Sequence, residues 1–561
     1  MVNVKNLFGM AVMATALVGC SSNDNLAPDG KDNAGKPGEA YASFTINLPT
    51  TTGNGTRGDE PVVKDGTLSF AEGTAAEYEV KNGTILIFDN AGNFVTSAQL
   101  GTMNPWTPVK KDGVTTAAIT TVQLSGVSVG GDYQALVLLN NDVDATTSKV
   151  TLPTTGDTYA EWSKKTSKVN AEKYASTDGI FMANAPMYTG TTTEPTTLVP
   201  IANVCASREE AQAKAATTVY VERGLAKVTM QNFTAGGYTV AEGTYKGDKV
   251  EIKNWQLDVT NKSTFPVHQI GGTGFAAIWS TPRFYDGGNQ SFKRVYWGVD
   301  PNYSGATLQN LEACKNAFTM IGKNDIKGET GNDHPQYCLE NTFDLANMMQ
   351  GQTTRVVFKA VFTPKDFTTG QTFYKIGNNT AIWDATKLAQ QIHTVAVTAM
   401  GITDAAEREN YVVKLDASTN NISGTAGLHT ITAANIEYKG TGTSLVAANI
   451  DKINEKLGLK ETGISTYLNG EAYYIARIKH FNGLTPWTAG EGYGTANDKY
   501  LGRYGVLRNN WYDLSVNSIS GLGYPDIPEV KPDVPDDENE QYINVEVKIL
   551  DWAKRSQSID L

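Results

Sequence analysis

Few residues of this chain have the types and the spacing that catalytic chemistry requires. No two of the five histidines lie at the spacing with which a helix presents metal ligands; they are His268, His334, His393, His429 and His480. The sequence contains no HExxH, GxSxG or P-loop pattern. Asp142 and Asp144 could bind calcium, but their loop has no further regularly spaced acidic ligands. We therefore predict a protein that is not an enzyme and that binds no metal or cofactor.

The spacing of the cysteines does not indicate a zinc site. The four are Cys20, Cys205, Cys314 and Cys338, and no two of them have CxxC spacing. Cys314 and Cys338 could pair as a disulfide in an oxidising compartment. The alternative is two buried thiols, because unpaired cysteines are among the most buried residues. The sequence leaves both possibilities open.

The amino terminus has the pattern of an export signal. Lys5 precedes an apolar run over residues 7–18, which is too short to span a bilayer and has the length of a signal-peptide core. The run ends in a Leu-Val-Gly-Cys sequence at residues 17–20, which resembles the lipobox of bacterial lipoproteins. That resemblance implies a signal peptide over residues 1–20 and a lipid on Cys20. An ordinary signal peptide with an incidental cysteine is the alternative.

A possible proteolytic site follows the signal. Residues 21–40 are polar and are expected to form a flexible tether. Arg57 then lies in a loop rich in threonine and glycine, and no other Lys or Arg occurs between Lys36 and Lys64. Exposed loops of small polar residues are where proteases cut, so a trypsin-like cut between Arg57 and Gly58 would be well defined. A solvated arginine in a hairpin loop is the alternative.

Two segments have the apolar–polar alternation of a half-buried strand. Residues 41–48 precede Arg57, and their apolar face consists of Ala42, Phe44, Ile46 and Leu48. Residues 541–550 lie near the end of the chain, and their apolar face consists of Ile543, Val545, Val547 and Ile549. Burying each large side chain is worth about 1.5–3 kcal/mol, so the two segments could compete for one groove. The acidic, proline-punctuated run before the second segment is predicted to be a stiff spacer that does not pack.

Length and composition predict more than one β-rich domain. The chain has 561 residues, which is too many for a single core. Short apolar alternations separated by clusters of Gly, Asn, Thr and Asp favour an all-β fold with a few inserted short helices. The net charge of −12 argues against a nucleic-acid partner, because binding phosphates needs a cationic surface.

The predicted boundary between the domains follows a long strand over residues 218–230, near Asn232. In the second domain, residues 386–400 and 444–457 are the better helix candidates. The predicted order along the chain is a signal peptide (1–20), a tether with the first strand (21–57), one β-rich domain (58–232), a second β-rich domain (233–524), an acidic spacer (525–540) and a terminal strand (541–561).

Five blocks of sequence between the two ends carry a resemblance to a known family. They are VERGLAKV at 221–228, YWGVDPNY at 296–303, YCLENT at 337–342, YLNGEAYY at 467–474 and RYGVLRNNWY at 503–512. Together with the lipobox and the tail, they resemble the fimbrillins of Bacteroidales type V pili, most closely the major-subunit family of the minor fimbrium. The block at 503–512, followed by GYPDIP at 523–528, is the most specific.

This resemblance implies a fold and an assembly mechanism. Members of the family are exported lipoproteins with two transthyretin-like β-sandwich domains, and an Arg-specific protease removes the lipidated end together with the first strand. A neighbouring subunit's carboxyl-terminal strand then fills the vacated groove. For this chain the resemblance implies lipidation at Cys20, removal of residues 41–48, a cut at Arg57 and donation of residues 542–550. It also implies an outer-membrane lipoprotein precursor, a homopolymer in cell-surface fimbriae that support adhesion, and anchor and tip pilins as partners.

Within such a fimbria, the stalk is the predicted role, because the chain combines a donor-like tail with a cut-like arginine. A tip subunit needs no donor strand, and an anchor should keep its lipidated end. An alternative of another class is a monomeric surface lipoprotein that binds a glycan or a host protein. Its candidate contacts would be Trp487, Tyr493 and Trp511, although core packing explains these aromatic residues equally well. In the uncut precursor we expect the tail to be unpaired or loosely docked.

Overall fold

Strands dominate the structure, and the prediction of an all-β fold with a few inserted helices is confirmed. The computed structural model describes residues 39–49, 74–100, 108–111, 114–142, 148–168, 171–176, 179–188, 196–270, 293–294, 297–303, 308, 310–460, 462–481, 484–537 and 543–551. Across these ranges, no helix has both the length and the apolar character needed to cross a membrane.

The amino-terminal half is built on one large sheet. The strands of this half are β1 Glu39–Pro49, β2 Gly83–Asp89, β3 Phe94–Gln99, β4 Pro108–Lys111, β5 Val114–Ser125, β6 Tyr133–Leu139, β7 Ser167–Lys168, β8 Ala175–Ser176, β9 Gly179–Ile180, β10 Met182–Asn184, β11 Met187–Tyr188, β12 Val199–Pro200 and β13 Thr217–Arg223. The sheet has the order β3-β2-β6-β10-β13-β1-β5-β4, and β12 pairs with β6. A hydrogen bond of 2.9 Å from the Thr120 hydroxyl to the Leu100 carbonyl links β5 to the chain just after β3. The sheet thus curls so that distant strands enclose one core.

The carboxyl-terminal half contains a second sandwich. Its strands are β14 Ala226–Met230, β15 Tyr238–Thr239, β16 Lys249–Asp258, β17 Thr260–Asn261, β18 Ser263–Thr264, β19 Lys293–Arg294, β20 Phe318–Thr319, β21 Gln336–Cys338, β22 Arg355–Thr363, β23 Phe373–Ile376, β24 Tyr411–Val413, β25 Asp416–Ala417, β26 Asn420–Asn421, β27 Gly427–His429, β28 Ile436–Tyr438, β29 Ile464–Tyr467, β30 Glu471–Arg477, β31 Asn510–Ile519 and β32 Ile543–Asp551. Two sheets, β21-β14-β31-β32 and β15-β16-β22-β30, share a core that includes Trp255, Phe358 and Tyr512.

Most α-helices of the described residues are short, with no more than two turns. They are α1 Ala75–Tyr78, α2 Tyr159–Trp162, α3 Ala171–Tyr174, α4 Arg208–Ala213, α5 Leu311–Ala317, α6 Ala385–Ala399, α7 Ala405–Arg408 and α8 Val446–Lys456. The two longest, α6 and α8, lie where the sequence predicts helices. They pack with β23 and β29 around a separate apolar cluster that includes Leu388, Ile392 and Ile453. This small unit is inserted between β22 and β30 of the second sandwich.

The long strand predicted to close the first domain is divided in two. The segment predicted as a single strand over residues 218–230 is divided into β13 and β14, which belong to different sheets. The change of sheet occurs at Gly224 and Leu225, earlier than Asn232. Gly224 lies against Phe181 and Tyr174, where a Cβ atom would approach their rings to about 3 Å. The apolar residues of the alternation change from odd positions at Val219 and Val221 to even positions at Val228 and Met230, a signal that the prediction of one strand did not use.

The prediction that residues 525–540 form a spacer that does not pack is wrong for residues 525–537, which we name the strap. Val530 is buried in an apolar cluster of the second sandwich. The Arg355 guanidinium donates to the Pro528 carbonyl at 2.8 Å, and the Gln350 N–H donates to the Val534 carbonyl at 2.9 Å. These contacts lie on the second sandwich, so the strap is part of that domain's surface.

The possible disulfide between Cys314 and Cys338 is absent, because both cysteines are free and buried. Cys314 lies on α5 in the cluster that receives the strap, and its thiol is 3.4 Å from the Gln352 amide nitrogen. Cys338 ends β21 and belongs to the sandwich core. Burial raises the pKa of Cys338 to about 12, which keeps this thiol protonated and unreactive.

Candidate functional site

The strand upstream of Arg57 lies inside the amino-terminal sheet. β1 pairs with β5 in antiparallel fashion along its whole length. On its other edge, residues 44–47 pair in parallel with residues 217–220 of β13. Because both edges are bonded, removing β1 would leave a slot with an unpaired strand on each side.

The inner face of β1 is apolar and fully buried. The residues on this face with no exposed surface are Ala40, Ala42, Phe44 and Ile46. They contribute to the core of the amino-terminal sheet. Burying Phe44 and Ile46 is worth about 1.5–3 kcal/mol for each side chain. The side chain of Leu48 lies outside the described part of the chain.

The outer face of β1 is covered by α4, which the sequence analysis does not predict. The Ser43 hydroxyl donates to the Ala211 carbonyl of α4 at 2.8 Å, and it lies 2.8 Å from the hydroxyl of Thr121 on β5. The Arg208 guanidinium lies 5.7 Å from the centre of the Tyr41 ring, within the range of a cation–π contact. The slot occupied by β1 therefore has a polar roof as well as an apolar floor.

The segment before α4 also holds the start of β1. The Tyr41 N–H donates to the Cys205 carbonyl at 2.9 Å, and the Cys205 N–H donates to the Tyr41 carbonyl at 2.8 Å. Ser207 caps α4, since its hydroxyl accepts from the Glu210 N–H. This Ser-x-x-Glu spacing is the one signal in the sequence that could have predicted the start of the helix.

The tail is bound to its own second sandwich, contrary to the expectation of an unpaired or loosely docked strand. β32 pairs antiparallel with β31, from Ile543 opposite Ile519 to Asp551 opposite Asn510. β31 pairs on its other edge with β14, so β32 is the edge strand of this sheet. The predicted strand is thus present, but one of its edges has no partner strand within the described residues. The side chains of Ile543, Val545, Val547 and Ile549 lie outside the described part of the chain.

Two buried aspartates hold the end of the strap. Asp536 accepts from the hydroxyls of Tyr493 and Thr353, the latter at 3.0 Å. Asp537 lies 3.0 Å from the Nε atom of Arg503 and accepts from the Tyr504 hydroxyl at 2.6 Å. Asp536 is 1% exposed and Asp537 is 8% exposed. These contacts fix the end of the strap on the second sandwich.

The remaining predicted site residues lie outside the described residues. Cys20 and the cut between Arg57 and Gly58 are among them, so lipidation and cleavage stay predictions. Asp142 is described but Asp144 is not. In the described ranges, no group of three or more His, Cys, Asp or Glu side chains is placed to hold a metal ion.

Glu77, which follows the predicted cut, is held firmly by buried contacts. The Glu77 carboxylate forms a buried ion pair of 2.6 Å with Lys227 of β14, and it accepts from the Tyr337 hydroxyl at 2.7 Å. The Arg223 Nε atom donates to the Glu77 carbonyl at 2.8 Å. Burial alone would raise the pKa of Glu77, but the charge of Lys227 holds it below its usual value. These contacts fix the chain beyond the cut against the second sandwich.

The aromatic residues considered for the binding-protein alternative have structural roles. Trp511 is 3% exposed, and its indole N–H donates to the Thr229 hydroxyl at 2.7 Å. Tyr493 binds Asp536 of the strap, and Trp487 packs against Tyr493 with ring centres 5.2 Å apart. The three residues do not form a common exposed surface.

Comparison with known proteins places the clearest similarity at the carboxyl terminus. Residues 465–558 match the family model for "Major fimbrial subunit protein type IV, Fimbrillin, C-terminal". This region is fimbrillin-like. The match includes β30, β31, the strap and β32, and it supports a fimbrial subunit. No curated protein matches the chain.

Solved structures give looser similarities. A fimbrial assembly protein from Parabacteroides distasonis shares 12% identity over 59% of this chain and 83% of its own, with a TM-score of 0.28. A putative adhesin from Bacteroides ovatus shares 9% identity over 57% of this chain and 73% of its own, with a TM-score of 0.19.

Proposed function

We propose that the protein is a structural stalk subunit of a bacterial cell-surface fimbria that polymerises by donor-strand exchange. In this proposal, the chain is exported as an outer-membrane lipoprotein anchored through Cys20. An Arg-specific protease cuts after Arg57, β1 leaves, and the tail of a neighbouring copy takes its place. Anchor and tip pilins begin and end the polymer. The role is structural and supports adhesion, and no catalytic group is involved.

The observation that carries the proposal is the position of β1. A strand that precedes the cut and lies between two other strands is the element whose removal opens a slot for another strand. An edge strand could be lost without creating such a slot. The interior position also means that cutting alone does not release β1, because two hydrogen-bond ladders and the buried inner face still hold it. Release therefore requires a competing strand.

The slot offers the tail more main-chain pairing than its own subunit does, and the cut makes the exchange one-way because β1 is no longer attached to the chain. On β31 the tail is an edge strand with one ladder, whereas between β5 and β13 it would form two. Each added main-chain hydrogen bond contributes about 0.5–1.5 kcal/mol net. An exchanged strand also joins unlike surfaces of two copies, so the contact does not close on itself and the chain of subunits grows.

The fimbrillin-like region supports the same function. It contains the strap, the tail and the strand that the tail leaves, which are the parts of the chain that a donor mechanism uses. The finer assignments, namely the type V pilus, the lipid anchor and the protease, belong to the proposal.

An arginine substitution tests the proposal in the producing cell. Arg57→Ala should leave a lipidated, full-length precursor and reduce fimbriae at least tenfold, measured by electron microscopy and by the size of the chain on a denaturing gel. Lys64→Ala is the matched control, because it removes the next basic residue along the chain and should leave assembly unchanged. Normal fimbriae from the Arg57→Ala variant would refute the cut site.

A further inference from the structure

The strand that is removed and the tail that replaces it have the same order of residue types. Residues 39–48 read EAYASFTINL, and residues 540–549 read EQYINVEVKI. In this alignment, glutamate matches glutamate, tyrosine matches tyrosine, and each inner position from Ala42 onward matches a β-branched residue. Resting on the function proposed above, we infer that the tail of a second copy enters the slot in this register and in the direction of β1.

The place of Ser43 selects the register. This residue is 6% exposed beneath α4, and its hydroxyl donates to the Ala211 carbonyl. A residue that takes this place must be small enough to fit and must supply a hydrogen-bond donor. Asn544 falls there in the register of the alignment, and its amide group can donate to the same carbonyl.

Registers shifted by two residues fail at the same place. A shift in one direction puts Tyr542 at the Ser43 position, where the roof of α4 leaves no room for a ring. A shift in the other direction puts Glu546 there, and its carboxylate would face the Ala211 carbonyl, so two acceptors would meet in a buried place. Shifts by one residue turn the polar face of the tail into the core.

Insertion of the tail in the direction opposite to that of β1 would place a charged side chain beneath α4. Suppose that the tail enters in the opposite direction and that its four apolar residues still face the core, beginning at the Ala42 position. Lys548 then takes the Ser43 position. Arg208 already donates to the carbonyl of Thr121, the strand partner of Ser43, at 2.8 Å. The charge of Lys548 would then be buried beneath α4, close to the exposed cation of Arg208, which the direction of β1 avoids.

The tyrosine of the tail fits the beginning of the slot. In the inferred register, Tyr542 lies where Tyr41 lies, so its ring can stack against Arg208 and its backbone can pair with Cys205. The neighbouring inner positions are less well matched, because Ala40 and Ala42 are small and fully buried whereas Gln541 and Ile543 are larger. In the inferred register, the side chains at the start of the tail are therefore larger than those that they replace, and this end of the slot is overpacked.

This overfilling gives a test by substitution. Ile543→Ala restores the size of Ala42 and should assemble at least as fast as the wild type. Val545→Ala empties the place of Phe44 and should slow assembly at least tenfold, because a large buried side chain is lost there. The reverse ranking of these two variants would overturn the register.

Disulfide trapping reads the register directly. Residues opposite each other on antiparallel strands have Cβ atoms about 4.5–5.5 Å apart, which is close enough for a disulfide with little movement. Ser43 lies opposite Thr121, Tyr41 opposite Gln123 and Thr45 opposite Ile119. Three full-length variants would each carry Cys205→Ala and Asn544→Cys, with one further cysteine at position 119, 121 or 123. The fibres that they assemble would be oxidised with diamide.

The inferred register predicts a covalent ladder on a non-reducing gel for Thr121→Cys and at least tenfold less for Ile119→Cys and Gln123→Cys. Glu546→Cys is a second probe and should cross-link to Ile119→Cys instead. A ladder at another position, or fibres without any ladder, would overturn the register and leave strand exchange in place. Absence of fibres from the wild-type chain would refute the proposed function and the register with it.

Discussion

Asp536 is a buried carboxylate in a place where a negative charge is poorly solvated. Burial raises its pKa to about 6, although the charge of Arg477 and the hydroxyls of Tyr493 and Thr353 favour the ionised form. Asp537 adds a second negative charge beside it. The contacts of Asp536 and Asp537 at the end of the strap, which we name the latch, therefore stabilise the fold more when Asp536 is protonated.

This shift predicts the pH dependence of stability. The pKa of Asp536 in the folded state lies above its unfolded value of about 3.9, so the folded state binds more protons between these pH values. The stability that it contributes is complete below about pH 4 and is lost as the pH rises through 6. Between pH 5 and pH 7.5 the wild type should lose about 1–2 kcal/mol more than Asp536→Asn, measured by urea unfolding of the precursor.

An exposed aspartate of the same strap provides the control for this measurement. Asp533→Asn removes the same charge from an exposed position and should keep the pH dependence of the wild type. Equal pH dependence of Asp536→Asn and the wild type would contradict the account of the latch.

The latch shows what the sequence could not predict at the residue scale. The acidic, proline-rich composition of residues 525–540 is typical of a spacer, and it has no apolar periodicity that would indicate packing. The partners of the two aspartates, Thr353, Tyr493 and Arg503, come from distant parts of the chain. Only the fold brings them together.

At the scale of elements, β1 is part of the core of the precursor but, in this account, not of the fibre. Phe44→Ala should therefore destabilise the precursor by about 3–5 kcal/mol, because it leaves a cavity in a sealed core. Fibres assembled from this variant should melt at the wild-type temperature, because they no longer contain the altered strand. Differential scanning calorimetry of both species would measure the two effects.

Thr45→Ala is the matched control for the Phe44 variant. Thr45 lies on the same strand but on its partly exposed outer face, so both species should change by less than about 0.5 kcal/mol. A fibre of the Phe44→Ala variant that melts early would indicate that β1 remains in the assembled subunit.

Alternation in the sequence predicts both strands of the proposed exchange but not their surroundings. The strand predicted over residues 41–48 is observed as Glu39–Pro49, and the tail strand is observed as Ile543–Asp551. The neighbours of each strand are set by pairings with sequence separations of up to about a third of the chain. Alternation therefore does not indicate that β1 is an interior strand, that α4 covers it, or that β31 holds the tail.

At the scale of the whole molecule, the two sandwiches remain joined when β1 is absent. One apolar cluster contains Leu136 and Phe181 from the first half together with Val267 and Leu339 from the second. The buried pair of Glu77 and Lys227 also connects the segment after the cut to the second sandwich. Neither contact involves β1, so its loss opens the slot without separating the halves.

The most direct test of strand exchange is the mass of the subunits in assembled fibres. Fibres purified from the producing cell would be dissociated in denaturant and analysed by intact-mass spectrometry and amino-terminal sequencing. The account predicts subunits that begin at Gly58 and a preparation that contains no peptide from residues 39–49. Assembled subunits that retain residues 39–49, either covalently or as a bound fragment in equal amount, would contradict the replacement of β1 by a neighbour's tail.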